Sequence, residues 1–119
     1  MQKTLYDIAY ARSGDKGAHS NIGVIAYSLE GFYFLNKILT QEKIIDYFHG
    51  LGIQSVEKYP MENLWAINFV LKSALKDGGS SSLRLDAQGK ALGQALLEMN
   101  IDVPEDLFKK ICSQQHIRK

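Results

Sequence analysis

The sequence has one cysteine, two prolines and no apolar run that approaches the length of a membrane span. Because Cys112 has no second cysteine as a partner, the sequence excludes an internal disulfide and a cysteine-based structural zinc site. A spanning helix needs about 18 or more apolar residues in succession, so no membrane association is predicted. Asp7 interrupts the N-terminal apolar stretch, which does not resemble a signal peptide, and we expect a cytoplasmic protein.

A large excess of charge of one sign is also lacking. Lysine and arginine total 14 and aspartate and glutamate total 13, which gives a formal net charge of +1. Since nucleic-acid-binding domains carry a clustered basic excess, no nucleic-acid partner is predicted. Neither the P-loop pattern nor GxGxxG occurs, and the three histidines do not form a metal-ligand motif. The sequence therefore predicts no cofactor and no metal site.

What the chain does contain is the ordinary composition of one globular domain, with 45% hydrophobic and 23% charged residues among 119. Alternating or continuous apolar residues predict strands over 5–12, 21–27, 56–59 and 64–72, and Pro60 places the third of these at a sheet edge. A polar loop is predicted over 13–17 and a second one over 77–82.

Helical spacing of apolar residues predicts one helix after Thr40 and another after Asp86, and Pro104 precedes a short final helix. Residues 31–39 fit either a loop or a short helix. Strands followed by helices that cover one face predict an α+β fold, a ferredoxin-like antiparallel sheet with helices on one face. We assign residues 1–103 to this domain and residues 104–119 to a short C-terminal helix and basic tail.

The two polar loops share features that suit an anion. Arg12 opens the first loop and Arg84 closes the second, and arginine presents a planar fork that matches carboxylate or phosphate. Lys16 adds charge, and backbone amides of Gly/Ser loops can approach an anion closely. One interpretation is a single site in which the two arginines lie within about 12 Å of one another. The other is two ordinary turns, with the arginines paired to Asp15 and Asp86.

Two asparagines raise a similar question. Asn68 lies within an apolar strand and Asn21 at the start of another, and a buried amide must find a hydrogen-bond partner. Each amide either holds a neighbouring loop or faces a ligand. Asp15, Lys16 and His19 also allow an acid–base interpretation, although adjacent residues of an extended segment point apart.

The segments ARSGDKGAHSNIGVIAY (11–27), YFHGLGIQSVEKY (47–59) and NLWAINFVLKSALKDGGSSSLRLDAQGKALGQALLEM (63–99) resemble the C-terminal domain of acyclic terpene utilisation (AtuA-like) proteins. In that family the module is described as ferredoxin-like and follows a large N-terminal domain, and it also occurs as a free-standing small protein. The resemblance covers about residues 4–99. It implies an association with the breakdown of acyclic terpenes and branched acyl-CoA compounds.

The resemblance also implies a set of motif residues as the binding site. The family often has an acidic or amide residue where this chain has Ala18, and this difference weakens a catalytic interpretation. The matching positions are Arg12, Ser13, Gly14, Asp15, Lys16, Gly17, Asn21, Asn68, Gly78, Gly79, Ser82, Arg84 and Asp86.

Three functions remain open at this point. The first is an accessory module that binds a small anion or an acyl-CoA and acts with a separate large AtuA-like subunit. The second is an oligomerisation domain, and the third is a stand-alone acid–base enzyme. We also expect a homo-oligomer, because the aromatic residues exceed what one small core needs. The residues behind this expectation are Tyr6, Tyr10, Tyr27, Trp65 and Phe69.

Overall fold

The computed structural model describes residues 2–16, 19–49, 52–73 and 92–118, with the backbone alone at 15–16, 73 and 113–118. The strands are β1 (Gln2–Thr4), β2 (Ala9–Lys16), β3 (His19–Ala26), β4 (Ile53–Met61), β5 (Ala66–Ser73) and β6 (Asn100–Asp102). The α-helices are α1 (Leu29–Ile38), α2 (Gln41–Tyr47), α3 (described over 92–97) and α4 (Glu105–Arg118). Single 3-10 turns precede β2 (Leu5–Asp7) and β5 (Glu62–Leu64).

Two antiparallel hairpins form the main sheet, whose strand order is β2-β3-β5-β4. The second strands of the hairpins, β3 and β5, pair with each other in the middle, and α1 and α2 connect the hairpins. The short strands β1 and β6 pair antiparallel in a separate two-stranded sheet. The edge position predicted from Pro60 is confirmed, since β4 lies at one edge of the main sheet.

The beginning of β2 differs from the sequence-based prediction. Residues 5–7, predicted as strand, form a 3-10 turn because the Asp7 carboxylate accepts a hydrogen bond from the Thr4 amide at 2.9 Å. This turn directs Leu5 into the core, where it is fully buried. The prediction of a loop from Ser13 onward is wrong for residues 13–16, because they continue β2 and pair with β3 as far as Lys16.

The helix starts follow from local capping. Ser28 Oγ accepts a hydrogen bond from the Gly31 amide at 3.0 Å, and this N-cap starts a helix in the segment that the sequence left ambiguous. The predicted cap at Thr40 is confirmed, since its hydroxyl accepts from the Lys43 amide at 3.1 Å. Both caps satisfy backbone donors that a helix N-terminus otherwise leaves unpaired.

The core lies between one face of the main sheet and the helices. Alternate residues of the two central strands are buried, as the period of a strand requires. The helices contribute buried side chains from their sheet-facing sides, so the prediction of helices on one face is confirmed. The residues that carry this packing are Ile22, Val24, Ile67, Phe69 and Leu71 of the sheet, with Phe32, Leu35, Ile44, Leu92, Leu96 and Ile111 of the helices.

Candidate functional site: the open face of the sheet

The face of the main sheet opposite the helices is the candidate site, and we call it the open face. Among the described residues, its larger aliphatic side chains, Ile25 and Val70, are only partly buried and do not pack against the core cluster. The strand registers arrange this face in rows that cross β2, β3, β5 and β4. The rows are Tyr10–Ile25–Ala66–Met61, Arg12–Gly23–Asn68–Tyr59, Gly14–Asn21–Val70–Glu57, and His19–Lys72–Ser55.

Four of the residues singled out in the sequence meet on the open face. Arg12 and Asn68 lie in the same row, separated by Gly23. Gly14 and Asn21 are neighbours in the next row. Because neighbouring strands are about 4.8 Å apart, the Cα atoms of Arg12 and Asn68 lie about 10 Å apart, with Gly23 between them. An arginine side chain can largely cover that distance.

The two glycines leave space on this face. A side-chain Cβ built at Gly14 would meet nothing within 4 Å, and one built at Gly23 would first meet Asn68 Oδ1 at 3.9 Å. Glycine in a strand interior loses packing and often marks a site of close approach by a ligand or a backbone. Gly14 and Gly23 therefore form the floor of a shallow groove, with Arg12 and Asn68 beside it.

Asn21 brings an unused polar atom to this groove. Its Oδ1 is buried and, among the described residues, has no hydrogen-bond partner. A buried polar atom without a partner costs about 1–3 kcal/mol, and most such atoms in native proteins are paired. Because an amide oxygen accepts hydrogen bonds, this atom suits a donor group of a bound molecule, one of the two interpretations that the sequence left for Asn21.

The open face also carries a hydrogen-bonded trio that the sequence analysis missed. Glu57 accepts a hydrogen bond from Tyr59 Oη at 2.7 Å and pairs with Lys72 Nζ at 2.9 Å. The hydrogen bonds from Tyr59 and Lys72 lower the pKa of Glu57, and Glu57 in turn raises the pKa of both partners. Lys72 and Glu57 belong to different strands, so only the β4–β5 register could have revealed the pairing.

Ser13 lies on the other side of the sheet from the groove. Its hydroxyl accepts a hydrogen bond from the Gly93 amide at 3.2 Å, which fastens α3 to β2. A Cβ at Gly93 would lie 3.2 Å from Ser13 Oγ and 3.5 Å from the Arg12 carbonyl carbon. Helix α3 therefore approaches the sheet closely at Gly93. It gives Ser13 a positioning function for the helix.

For the remaining candidate residues, a place in the binding site stays a prediction. Asp15 and Lys16 pair with Ser20 and His19 in the β2–β3 register, and only their backbone is described. The expected approach of Arg12 to Arg84 involves a segment outside the described residues. The following candidate positions also lie outside the described residues: Gly17, Gly78, Gly79, Ser82, Arg84 and Asp86.

At one end of the open face, three tyrosines gather into what we call the aromatic end: Tyr6, Tyr10 and Tyr27. The rings of Tyr10 and Tyr27 stack with centroids 6.3 Å apart. Burial raises the pKa of Tyr27, and the neighbouring Tyr6 and Tyr10 raise it further. Tyr6 is 63% exposed and Tyr10 39%. Of the five aromatic residues behind the expected oligomer, Phe69 lies in the core and these three line the outer surface.

The architecture is that of a ferredoxin-like α+β domain in which the described helices cover one face of the main sheet. A family model for the AtuA ferredoxin-like domain matches residues 3–102, and the chain belongs to this family. The match begins in β1 and ends with its partner strand β6. No curated protein and no solved structure matches the chain.

Two features are absent from the described residues. Their histidine, cysteine, aspartate and glutamate side chains form no group of three or more that could hold a metal ion. None of their helices is both long enough and apolar enough to cross a membrane.

Proposed function

We propose that this domain is an accessory module that binds a small anionic group on the open face and acts beside a separate large AtuA-like subunit. The anion is a carboxylate or a phosphate, the groups that an acyl-CoA and its parent acid carry. The setting is the breakdown of acyclic terpenes or branched acyl-CoA compounds, as the family association suggests. The domain supplies binding, and the large subunit supplies the chemistry.

The observation that carries this proposal is the row Arg12–Gly23–Asn68 with Asn21 beside it. A guanidinium offers paired donors to an anion, and the Nδ2 group of each asparagine amide is a further, neutral donor, whereas its Oδ1 atom accepts only. Gly23 leaves room for the anion between them. The one acidic side chain described on this face, Glu57, is already bound by Lys72 and Tyr59 and lies in the neighbouring row.

Binding is favoured over acid–base catalysis by the state of Glu57. Two donors hold its carboxylate and lower its pKa, so it is a weak proton acceptor near neutral pH. Tyr59 donates a hydrogen bond to that carboxylate, and this bond raises the pKa of Tyr59, which therefore keeps its proton. This trio stabilises the sheet surface and leaves the neighbouring groove as the place where an added group would make new contacts.

The test is a calorimetric titration of phosphate, citrate and coenzyme A against wild type and Arg12→Ala. A charge-assisted hydrogen bond contributes about 1.5–3 kcal/mol, so affinity should fall by about tenfold to a hundredfold in the variant. The matched control is Lys109→Gln, which removes one positive charge from an exposed position on α4. Equal losses in both variants, or no binding by wild type at millimolar concentration, would contradict the proposal.

Association with a large subunit requires its own test. We expect this domain, when tagged and expressed with a large AtuA-like subunit of its source, to co-purify with it in stoichiometric amount. Separate elution of the two chains at micromolar concentration would remove the partner from the proposal, without affecting the anion site.

The second candidate function is oligomerisation, and the exposed tyrosines of the aromatic end favour it. Tyrosine is enriched at the centre of protein interfaces, where its ring is buried and its hydroxyl stays hydrogen-bonded. If this surface joins copies of the chain, sedimentation should give a species of at least twice 13.4 kDa. A clean monomer at micromolar concentration, without a partner chain, would contradict this alternative.

A further inference from the structure

We propose that the anion bound at Arg12 carries an apolar alkyl chain, and that this chain lies over the aromatic end. The ligand class is therefore a medium-chain monocarboxylate, an amphiphile with one charged head and one apolar tail. This inference rests on the proposed function, because it extends the anion site along the same sheet face.

The polarity of the open face changes along its strands. The row with Tyr10 and Ile25 is apolar, the next row contains Arg12 and Asn68, and the last described row contains Lys72. Successive rows on one face are about 7 Å apart, because every second residue of a strand faces the same side. A ligand anchored at Arg12 therefore meets the aromatic end within one row in one direction. In the other direction it meets Gly14 and Asn21, and then Lys72 two rows away.

The aromatic end suits the alkyl part of such a ligand. Tyr10 lies one row from Arg12, and its ring stacks with that of Tyr27, so the two rings give an apolar surface on that side of the arginine. Tyr6 lies beyond them and is largely exposed, although its ring is apolar over most of its area. A chain laid across these rings removes apolar surface from water on both sides of the contact.

Tyr6 also lines a cavity beside α3. This cavity has a volume of about 340 Å³ and is lined by Thr4, Tyr6, Gln94, Leu97 and Glu98. Its volume falls within the range of small-molecule sites. Glu98 places a carboxylate at this end, which repels a second anionic group. The charges thus orient the ligand with its head at Arg12 and its uncharged tail toward the cavity.

The charge pattern also selects among ligands that share a carboxylate. A monocarboxylate satisfies Arg12 and leaves Glu98 without a like charge nearby. A dicarboxylate of the same length brings its second carboxylate toward Glu98, so it should bind more weakly. A nucleotide offers a phosphate and a flat base. If the tyrosines bound bases by stacking and not alkyl chains, AMP would bind more tightly than phosphate, and this gain would contradict the inference.

The test is a calorimetric series of acetate, butyrate, hexanoate and octanoate, with octanedioate and AMP as comparison ligands. Full burial of a methylene is equivalent to about a fourfold gain in affinity. A chain covered on one side should gain about twofold per methylene, so octanoate should bind at least about tenfold more tightly than butyrate. Octanedioate should bind more weakly than octanoate, and AMP should gain nothing over phosphate.

The variants Tyr6→Ser and Tyr10→Ser should each flatten the dependence on chain length and leave acetate affinity unchanged. Tyr33→Ser is the matched control, because Tyr33 is also half-exposed but belongs to α1 on the helical side. Acetate binding with no gain along the series would overturn this inference and leave the anion site intact. A chain-length gain that survives both tyrosine substitutions would also overturn it. Failure of every carboxylate and of phosphate would overturn the proposed function itself.

Discussion

At Gly23, strand stability favours a larger side chain, whereas the proposed ligand site requires that no side chain be present. A glycine in a strand interior costs about 0.5–1 kcal/mol relative to alanine, and valine is among the best strand formers. The nearest atoms to an added Cβ are Asn68 Oδ1 at 3.9 Å and the Arg12 carbonyl oxygen at 4.0 Å, both ordinary contacts. The fold therefore accepts a side chain here, and Gly23→Val should stabilise the protein by up to about 1 kcal/mol.

The same substitution should remove the anion site. The valine methyl groups would occupy the space between Arg12 and Asn68, so phosphate affinity should fall by about tenfold or more, as for the loss of a charged hydrogen bond. Urea denaturation measures the first effect and calorimetry measures the second. Ser55→Val is the control, since it adds the same side chain to the same face outside the groove.

Urea denaturation tests the space above Gly23, and calorimetry tests whether the anion binds there. If Gly23→Val lowers the urea midpoint by more than the control does, the space above Gly23 is smaller than the structure indicates. If Gly23→Val is stable and binds phosphate as wild type does, the groove is not the anion site.

Two further predictions concern side chains beside the groove. Ser13→Ala removes the acceptor of the Gly93 amide, so it should destabilise the protein by about 1 kcal/mol in urea and leave anion affinity unchanged. A loss of affinity without a loss of stability would place Ser13 in the binding site instead. Tyr59→Phe removes the hydrogen bond that does most to lower the pKa of Glu57, so an NMR titration should show this pKa rising toward its ordinary value. Because folding depresses this pKa, the contribution of Glu57 to stability is present above the ordinary glutamate range and is lost as the pH falls through the lowered value. An unchanged Glu57 pKa in the variant would refute this explanation.

The sequence predicted the elements whose apolar period is long and regular. The helix that contains Leu92 and Leu96, the cap at Thr40 and the strand that contains Phe69 follow from local sequence signals and are present, although the helix ends before Met99. The edge strand followed from Pro60, which cannot donate a ladder hydrogen bond. These features depend on residues close together in the chain.

The sequence could not predict features that depend on strand register. Gly14 suggested a loop because glycine disrupts strand propensity, yet hairpin pairing with β3 holds it in β2. Arg12 and Ser13 looked like neighbours in one binding loop, whereas strand geometry directs them to opposite faces. The groove arises only when Gly23 falls between Arg12 and Asn68, residues that are far apart in the chain.

The most direct test of the anion site is a phosphate titration followed by amide chemical shifts in an isotope-labelled sample. If the anion binds on the open face, the amides of Gly14, Gly23 and Asn68 should show saturable shifts, and the amides of α2 and α4 should not change. Shifts confined to the lysines of α4, or no saturable shift at any described residue up to millimolar phosphate, would contradict the claim that the open face binds an anion.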